Sequence, residues 1–287
     1  MDKIFIFLAK CFKKIASMLE RLGQTKESHE DRVKMTSSRY DMAQHPDEPY
    51  YRQQYMHWIR QAIGNDHKDF LALDLGCGQG RLTIPVSEFC KHITGVDFTT
   101  AAIETAKEYS IEADRQNIDF IVSDILEFVK KQPKETFDCV VFTEVIFFLP
   151  SYKEVLKEIC RILKPNGTAF IAFRPQYHDI LHSIRHRQWD SAQMVINQRE
   201  GYLWGGQAWF SWQTKDDIEN ILCKIGFNQI SCVGIGVCSG IEGDPLDNIA
   251  RPSLLDPEAQ KQLMDIEIKL AEKYAQQGRY ILAIVKK

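Results

Sequence analysis

The chain has 287 residues, 44% of them hydrophobic and 26% charged, enough to bury one large core and too balanced to stay unfolded. Lys plus Arg number 36 against 39 Asp plus Glu, a formal net charge of −3, so there is no general pull toward a polyanion and nucleic acid is not the expected partner. Eight cysteines are scattered without CxxC or Cys/His ligand spacing, which argues against a zinc site or a disulfide framework and suits reduced thiols in a cytoplasmic protein.

The chain opens with "MDKIFIFLAKCFKKIASMLERLG", whose first apolar run is far shorter than the ~20 residues that span a bilayer and lacks a cleavage site. Ile4, Leu8, Cys11, Ile15, Met18, Leu19 and Leu22 share one helical face, with Lys3, Lys10, Lys14 and Arg21 elsewhere. Such a helix lies in a membrane surface, caps the domain or pairs with a second copy as a homodimer contact. All three stay open. A polar linker around 25–38 leads to a loop and then a helix with Tyr51, Tyr55, Trp58 and Ile59 at helical spacing. Residues 1–65 are thus expected as helical caps and 66–287 as the main domain.

Strands are expected near 70–75, 92–97, 118–123, 137–143 and 167–174, with helices near 79–90, 100–115, 151–163 and 214–225. Thr214 followed by Asp217 has the spacing of a helix start. The alternation predicts an α/β fold, a doubly wound parallel sheet with helices on both faces. Residues 175–213, dense in His, Arg and Trp, are too long for a plain connection and are expected to cover a ligand crevice. A second excursion, 238–277, is expected as a loop and a helix through Leu263, Ile266, Leu270 and Tyr274, before a last strand "RYILAIVKK".

The first strand runs into a glycine turn, "LALDLGCGQGRLT". Glycine admits positive φ and close ligand approach, but Gly76, Gly78 and Gly80 are spaced GxGxG, not the GxGxxG of a dinucleotide fingerprint. Asp74 would repel a pyrophosphate a few ångströms away and attract an ammonium. Asp97, in "ITGVDFTTAAIE", closes the second strand where a carboxylate can accept from a ribose diol. Phe98 can stack an adenine face. Asp124, in "DFIVSDILEF", closes the third strand, where it can accept from an exocyclic amine with Ile125 packed on the ring. Ammonium, ribose and adenine are the parts of S-adenosylmethionine.

Over residues 70–174 the motifs "LDLGCGQG", "GVDFT", "SDIL", "FDCVVFTEVIFFLP" and "ILKPNGTAFIAF" resemble, in order, those of the class I S-adenosylmethionine-dependent methyltransferases of small-molecule type. The resemblance implies a Rossmann-like sheet of seven strands, the last antiparallel, with S-adenosyl-L-methionine as cofactor and a small-molecule methyl acceptor as partner. It implies that Asp97 holds the ribose, that Cys77 sits within the cofactor turn, and that Thr143 offers its carbonyl to the methionyl ammonium near Gly76. The excursion between the last two strands departs from the family's usual tight hairpin.

Methyl transfer needs a general base only if the acceptor arrives protonated. The candidates are Glu144, just past the fourth strand, His178, and Tyr40, where similar enzymes fold a tyrosine over the sulfonium. His178, His182 and His186 recur every four residues, which on one helix face suggests either metal ligands or a solvated or substrate-facing surface; no carboxylate or cysteine has a zinc-like spacing to them, and no metal is expected. Trp204, Trp209 and Trp212 read as an aromatic lid or as ordinary packing. A nucleic-acid methyltransferase is a poorer fit, since "TEVI" replaces an Asn/Asp-Pro-Pro-Tyr loop and no basic stripe exists. The motifs would also suit a catalytically silent S-adenosylmethionine-binding protein, and the sheet by itself an NAD-dependent reductase.

Overall fold

The computed structural model describes residues 45–64, 67–203 and 208–287. The expected N-terminal amphipathic helix, Tyr40 and Trp204 lie outside them. The order of elements is α1 (Glu48–Ile63), β1 (His67–Leu75), α2 (Thr83–Val86), β2 (Cys90–Asp97), α3 (Thr100–Glu112), β3 (Ile118–Val122), α4 (Ile125–Lys131), β4 (Phe137–Phe142), α5 (Tyr152–Ile162), β5 (Leu163–Phe173), α6 (Gln176–Arg185), α7 (Trp189–Asn197), β6 (Glu200–Leu203), β7 (Ala208–Ser211), α8 (Lys215–Ile225), β8 (Gln229–Ile235), α9 (Pro257–Leu270) and β9 (Tyr280–Lys286).

Seven strands form one sheet in the order β3-β2-β1-β4-β5-β9-β8. The first five are parallel, and β9 runs antiparallel to both β5 and β8. Helices cover both faces of the central strands, so those strands are apolar in continuous runs: Ala72, Leu73, Val140, Val141, Phe142 and Ala169 through Phe173 are all buried. The sheet therefore carries its ligand crevice where parallel strands end and their order reverses, between β1 and β4. Tyr51, Tyr55, Trp58 and Ile59 all face this core from α1.

One expected helix is cut short. The helix expected over 79–90 is a single turn, α2, followed by a 3-10 turn at Ser87–Phe89. The residues before it are bound elsewhere: the Gly76 and Cys77 N–H groups both donate to the Val96 carbonyl, and Gly80 N–H donates to the Cys77 carbonyl. The 175–213 segment, too long for a plain connection, folds as two helices and a hairpin, α6, α7 and β6–β7, whose strands pair in Glu200↔Ser211 register. Trp212 belongs to its packing, since its indole N–H donates to the Val195 and Gln198 carbonyls. Thr214 and Asp217 form the expected reciprocal cap on α8. In the second excursion, Ile266 and Tyr274 are exposed, so the stripe expected there is only partly buried.

A buried carboxylate fixes that second excursion to α1. Glu267, on α9, is 1% exposed. One oxygen accepts from Tyr50 Oη at 2.7 Å and Gln54 Nε2 at 2.5 Å, the other from Cys238 N–H at 2.6 Å and Ser239 Oγ at 3.0 Å. Four donors lose their acceptor together if it is removed, so Glu267→Ala is expected to cost roughly 3 kcal/mol or more in urea unfolding. An unchanged midpoint would show that these bonds hold nothing.

Candidate active site

The glycine turn between β1 and α2 is built on positive φ at Gly76 (73°), Gly78 (51°) and Gly80 (83°). At Gly76 the reason is close approach, because a Cβ there would collide with Val145 in the loop after β4. At Gly78 a Cβ would meet nothing within 4 Å, so this backbone faces open space and forms a cradle. Cys77 is buried, with Sγ directed toward Gly78 O and Gly95; what it offers the cradle is backbone.

The three strand-end acids lie at the ends of adjacent strands but in different states. Asp97 spans two loops: Oδ2 accepts from Gly78 N–H at 3.1 Å and Oδ1 from Thr99 N–H at 2.8 Å. Burial raises its pKa against those bonds. Asp74 is 3% exposed and makes no ion pair among the described residues; it is held by Thr83, whose hydroxyl donates to Oδ2 at 2.6 Å. Burial pushes it up to about 6. Asp124 is exposed and caps α4, Oδ1 accepting from Glu127 N–H at 2.9 Å. Ile125 is buried beneath it, and Phe98, beside Asp97, is half-buried.

Beyond β4 the chain makes a strained step. Glu144 has φ 61°, a conformation that costs a non-glycine residue ~1–3 kcal/mol and persists only where surroundings enforce it. The enforcing group is Arg81, which follows the glycine turn. Its Nη1 lies 3.0 Å from Glu144 Oε1 and donates to Glu48 Oε1 at 3.2 Å, while Nη2 reaches the Thr143 hydroxyl at 3.5 Å. Burial alone would raise the Glu144 pKa, but Arg81 and Arg279 outweigh it and hold the group ionised. Glu48 goes the other way, raised chiefly by burial. Tyr55 lies under Arg81, 5.0 Å from ring centroid to guanidinium, and its hydroxyl is sealed from solvent.

Two more arginines stand at the same sheet edge. Arg174 follows β5 and donates Nε to Asp179 Oδ1 at 2.8 Å; Arg279 precedes β9 and donates Nε to Asp244 Oδ2 at 2.6 Å. Their guanidinium carbons lie 5.6 and 5.4 Å from the Tyr280 ring centroid. Phe147 stacks on that ring at 5.7 Å. His178 is neither solvated nor facing this edge openly: it is 2% exposed, Nε2 lies 2.9 Å from Asp244 Oδ1, and Nδ1 is sealed from solvent. It positions Asp244, which positions Arg279. His182 is held at about 4 by burial and nearby cations.

The glycine turn, Asp74, Asp97, Thr143 and Glu144 therefore converge, Asp124 stands at the rim, and His178 lies behind. Arg81, Arg174, Arg279 and Tyr280 were not singled out from the sequence, and Tyr55 was read there only as a residue of the helix preceding β1. Arg81 had a signal, its place directly after the turn; Arg174, Arg279 and Tyr280 stand at the ends of β5 and β9 with no telling spacing.

A family model described as methyltransferase domain matches residues 66–222, more than half of the chain. The chain belongs to the methyltransferase-domain family. The ubiquinone biosynthesis O-methyltransferase of Idiomarina loihiensis is 31% identical over 118 residues, 40% of this chain and 48% of that protein. The sterol 24-C-methyltransferase of Gibberella zeae is 32% identical over 125 residues, 42% of this chain and 32% of that protein. The chain thus spans half or less of the curated relatives it matches. In structure, the N-methyltransferase NodS from Bradyrhizobium japonicum, in complex with S-adenosyl-L-homocysteine, covers 91% of this chain and 98% of its own with a TM-score of 0.54 at 16% identity. The [4+2]-cyclase SpnF covers 82% and 80% with a TM-score of 0.52 at 17% identity. Such distant likenesses establish the fold, seven strands with the last antiparallel.

The residues present fit S-adenosylmethionine. A buried carboxylate without an ion pair among the described residues, a glycine backbone open to space and a second carboxylate already oriented by two N–H groups suit an ammonium and a ribose. Among the described residues no helix is long and apolar enough to cross a membrane.

Asp74 must ionise to grip a cation. Below its pKa of about 6, affinity for ammonium-bearing S-adenosylhomocysteine is expected to fall by about tenfold per pH unit, and to be restored as pH rises. Asp74→Asn should bind weakly and lose this pH dependence. A wild-type affinity that stays flat from pH 7 to 5 in calorimetry would refute the role.

Proposed function

We propose that this methyltransferase transfers a methyl group from S-adenosylmethionine to the N or O atom of a small molecule. The observation that carries this reading is the Asp74 carboxylate, without an ion pair among the described residues, beside the open Gly78 backbone. When bound, S-adenosylmethionine supplies an already activated methyl on a sulfonium. Asp74 and the Thr143 carbonyl hold the ammonium end, Asp97 holds the ribose, and Phe98, Asp124 and Ile125 hold the adenine.

What remains for the chain is alignment and exclusion of water, which is worth ~7–11 kcal/mol when two reactants are held in line. The α6–α7–β6–β7 cover does the excluding. Glu144, kept ionised by Arg81, takes the proton of an acceptor that arrives protonated. Tyr40 stays a candidate for covering the sulfonium through the family resemblance alone. The relatives named as O- and C-methyltransferases support methylation of small molecules.

Incubation with methyl-labelled S-adenosylmethionine and a cell extract separates the readings. Label is expected in the small-molecule fraction and is expected to fall by at least ~10-fold in Glu144→Gln if the acceptor is a hydroxyl. Label in the nucleic-acid fraction, or turnover of an extract component without any label transfer, would overturn the proposal.

A further inference from the structure

We propose that the methyl acceptor carries an oxyanion, a carboxylate or a phosphate, and that Arg174 and Arg279 bind it from either side of Tyr280. The inference rests on the methyl-transfer reading and adds the substrate class. A guanidinium has five N–H donors in a rigid fork. In both residues one donor, Nε, is taken by a carboxylate behind it, Asp179 from α6 and Asp244 from the second excursion. No terminal nitrogen of either residue has a hydrogen bond among the described residues, yet none is sealed in the way that Tyr55 Oη and His178 Nδ1 are. Both forks therefore keep terminal N–H groups that no described residue accepts, on side chains only 13% and 6% exposed, with the Arg279 guanidinium carbon set between the Tyr51 and Tyr280 rings at 4.5 and 5.4 Å.

An arginine that serves the fold alone turns its terminal N–H pairs onto carboxylates or carbonyls, as Arg185 does on Asp247 and as Arg161 does on the Gln132 and Val129 carbonyls. Arg174 and Arg279 instead are anchored by the inner nitrogen. His178 and Leu246 N–H hold Asp244, so the anchor is itself fixed. The nearby Glu144 charge is offset by Arg81 at 3.0 Å. Desolvated forks that need no rearrangement suit a planar or tetrahedral anion with several oxygens. Their place, beside Glu144 and at the ends of β5 and β9, sets that anion next to the acceptor atom rather than in the cofactor cradle. Phe147, stacked on Tyr280 and 5.9 Å from the Arg174 guanidinium carbon, adds an apolar wall.

The test uses the full chain saturated with S-adenosylhomocysteine and titrated with benzoate, phenyl phosphate and the neutral methyl benzoate. At least one anion is expected to bind at least about tenfold more tightly than the ester, with the better of the two identifying the oxyanion. Arg279→Gln and Arg174→Gln should each erase that preference while leaving S-adenosylhomocysteine affinity unchanged. If Arg279→Gln loses the cofactor product because Asp244 is left unpaired, Arg174→Gln and Arg174→Lys decide, with Lys expected to retain part of the preference. Equal binding of ester and acids, no binding of either anion, or a preference that survives Arg174→Gln would overturn the proposal and leave the methyl-transfer reading standing. Failure of the wild type to bind S-adenosylhomocysteine would overturn both.

Discussion

Arg81 is the charge on which the site is built. It leaves the glycine turn, crosses over Tyr55 and meets Glu48 of α1, Glu144 beyond β4 and the Thr143 hydroxyl. Burying a guanidinium costs several kcal/mol unless its partners are close and well aimed, and here the partners come from three separate elements. One side chain thereby ties the cradle for the cofactor to the loop that presents the acceptor side, and enforces the positive φ at Glu144. The collision that a Cβ at Gly76 would make with Val145 expresses the same closeness in the backbone.

From that tie the rest of the edge follows in two layers. Toward β1, β2 and β3 the groups are acids that make no ion pair among the described residues, Asp74 and Asp97 buried and held by hydrogen-bond donors, Asp124 exposed at the rim. Toward β5 and β9 they are arginines held from behind by acids that belong to the two excursions, Asp179 on α6 and Asp244 after β8. The cover over the site is thus part of its electrostatics: α6 and the second excursion supply the carboxylates that set the forks of Arg174 and Arg279. Glu267 fixes that excursion to α1, and α1 carries Glu48 back to Arg81.

The cradle was legible because its residues are local in sequence. Asp74, the three glycines and Asp97 each sit at the end of a strand that its own apolar run reveals, and parallel pairing brings those ends together without further information. Asp124 was legible as a strand-end acid, but not its use of one oxygen to cap α4, which depends on a helix beginning at once. The single turn of α2 was hidden because the backbone of Gly76 and Cys77 is spent on Val96. The acceptor half was not legible: Arg174, Arg279 and Asp244 are far apart in sequence, and only the antiparallel β9 beside β5 makes two of them neighbours. His178 recurred at helical spacing with His182 and His186, yet spacing cannot tell a solvated face from one packed on Asp244.

The central claim, a cradle of acids for a cation-bearing nucleoside, is tested most directly by calorimetric titration of S-adenosylhomocysteine and of NADH into the wild type and Asp97→Ala. The account requires that the wild type bind S-adenosylhomocysteine, that NADH not compete, and that Asp97→Ala lose ~1–3 kcal/mol of affinity with the fold intact. Binding of NADH in the same crevice, or an affinity that ignores Asp97→Ala, would contradict it.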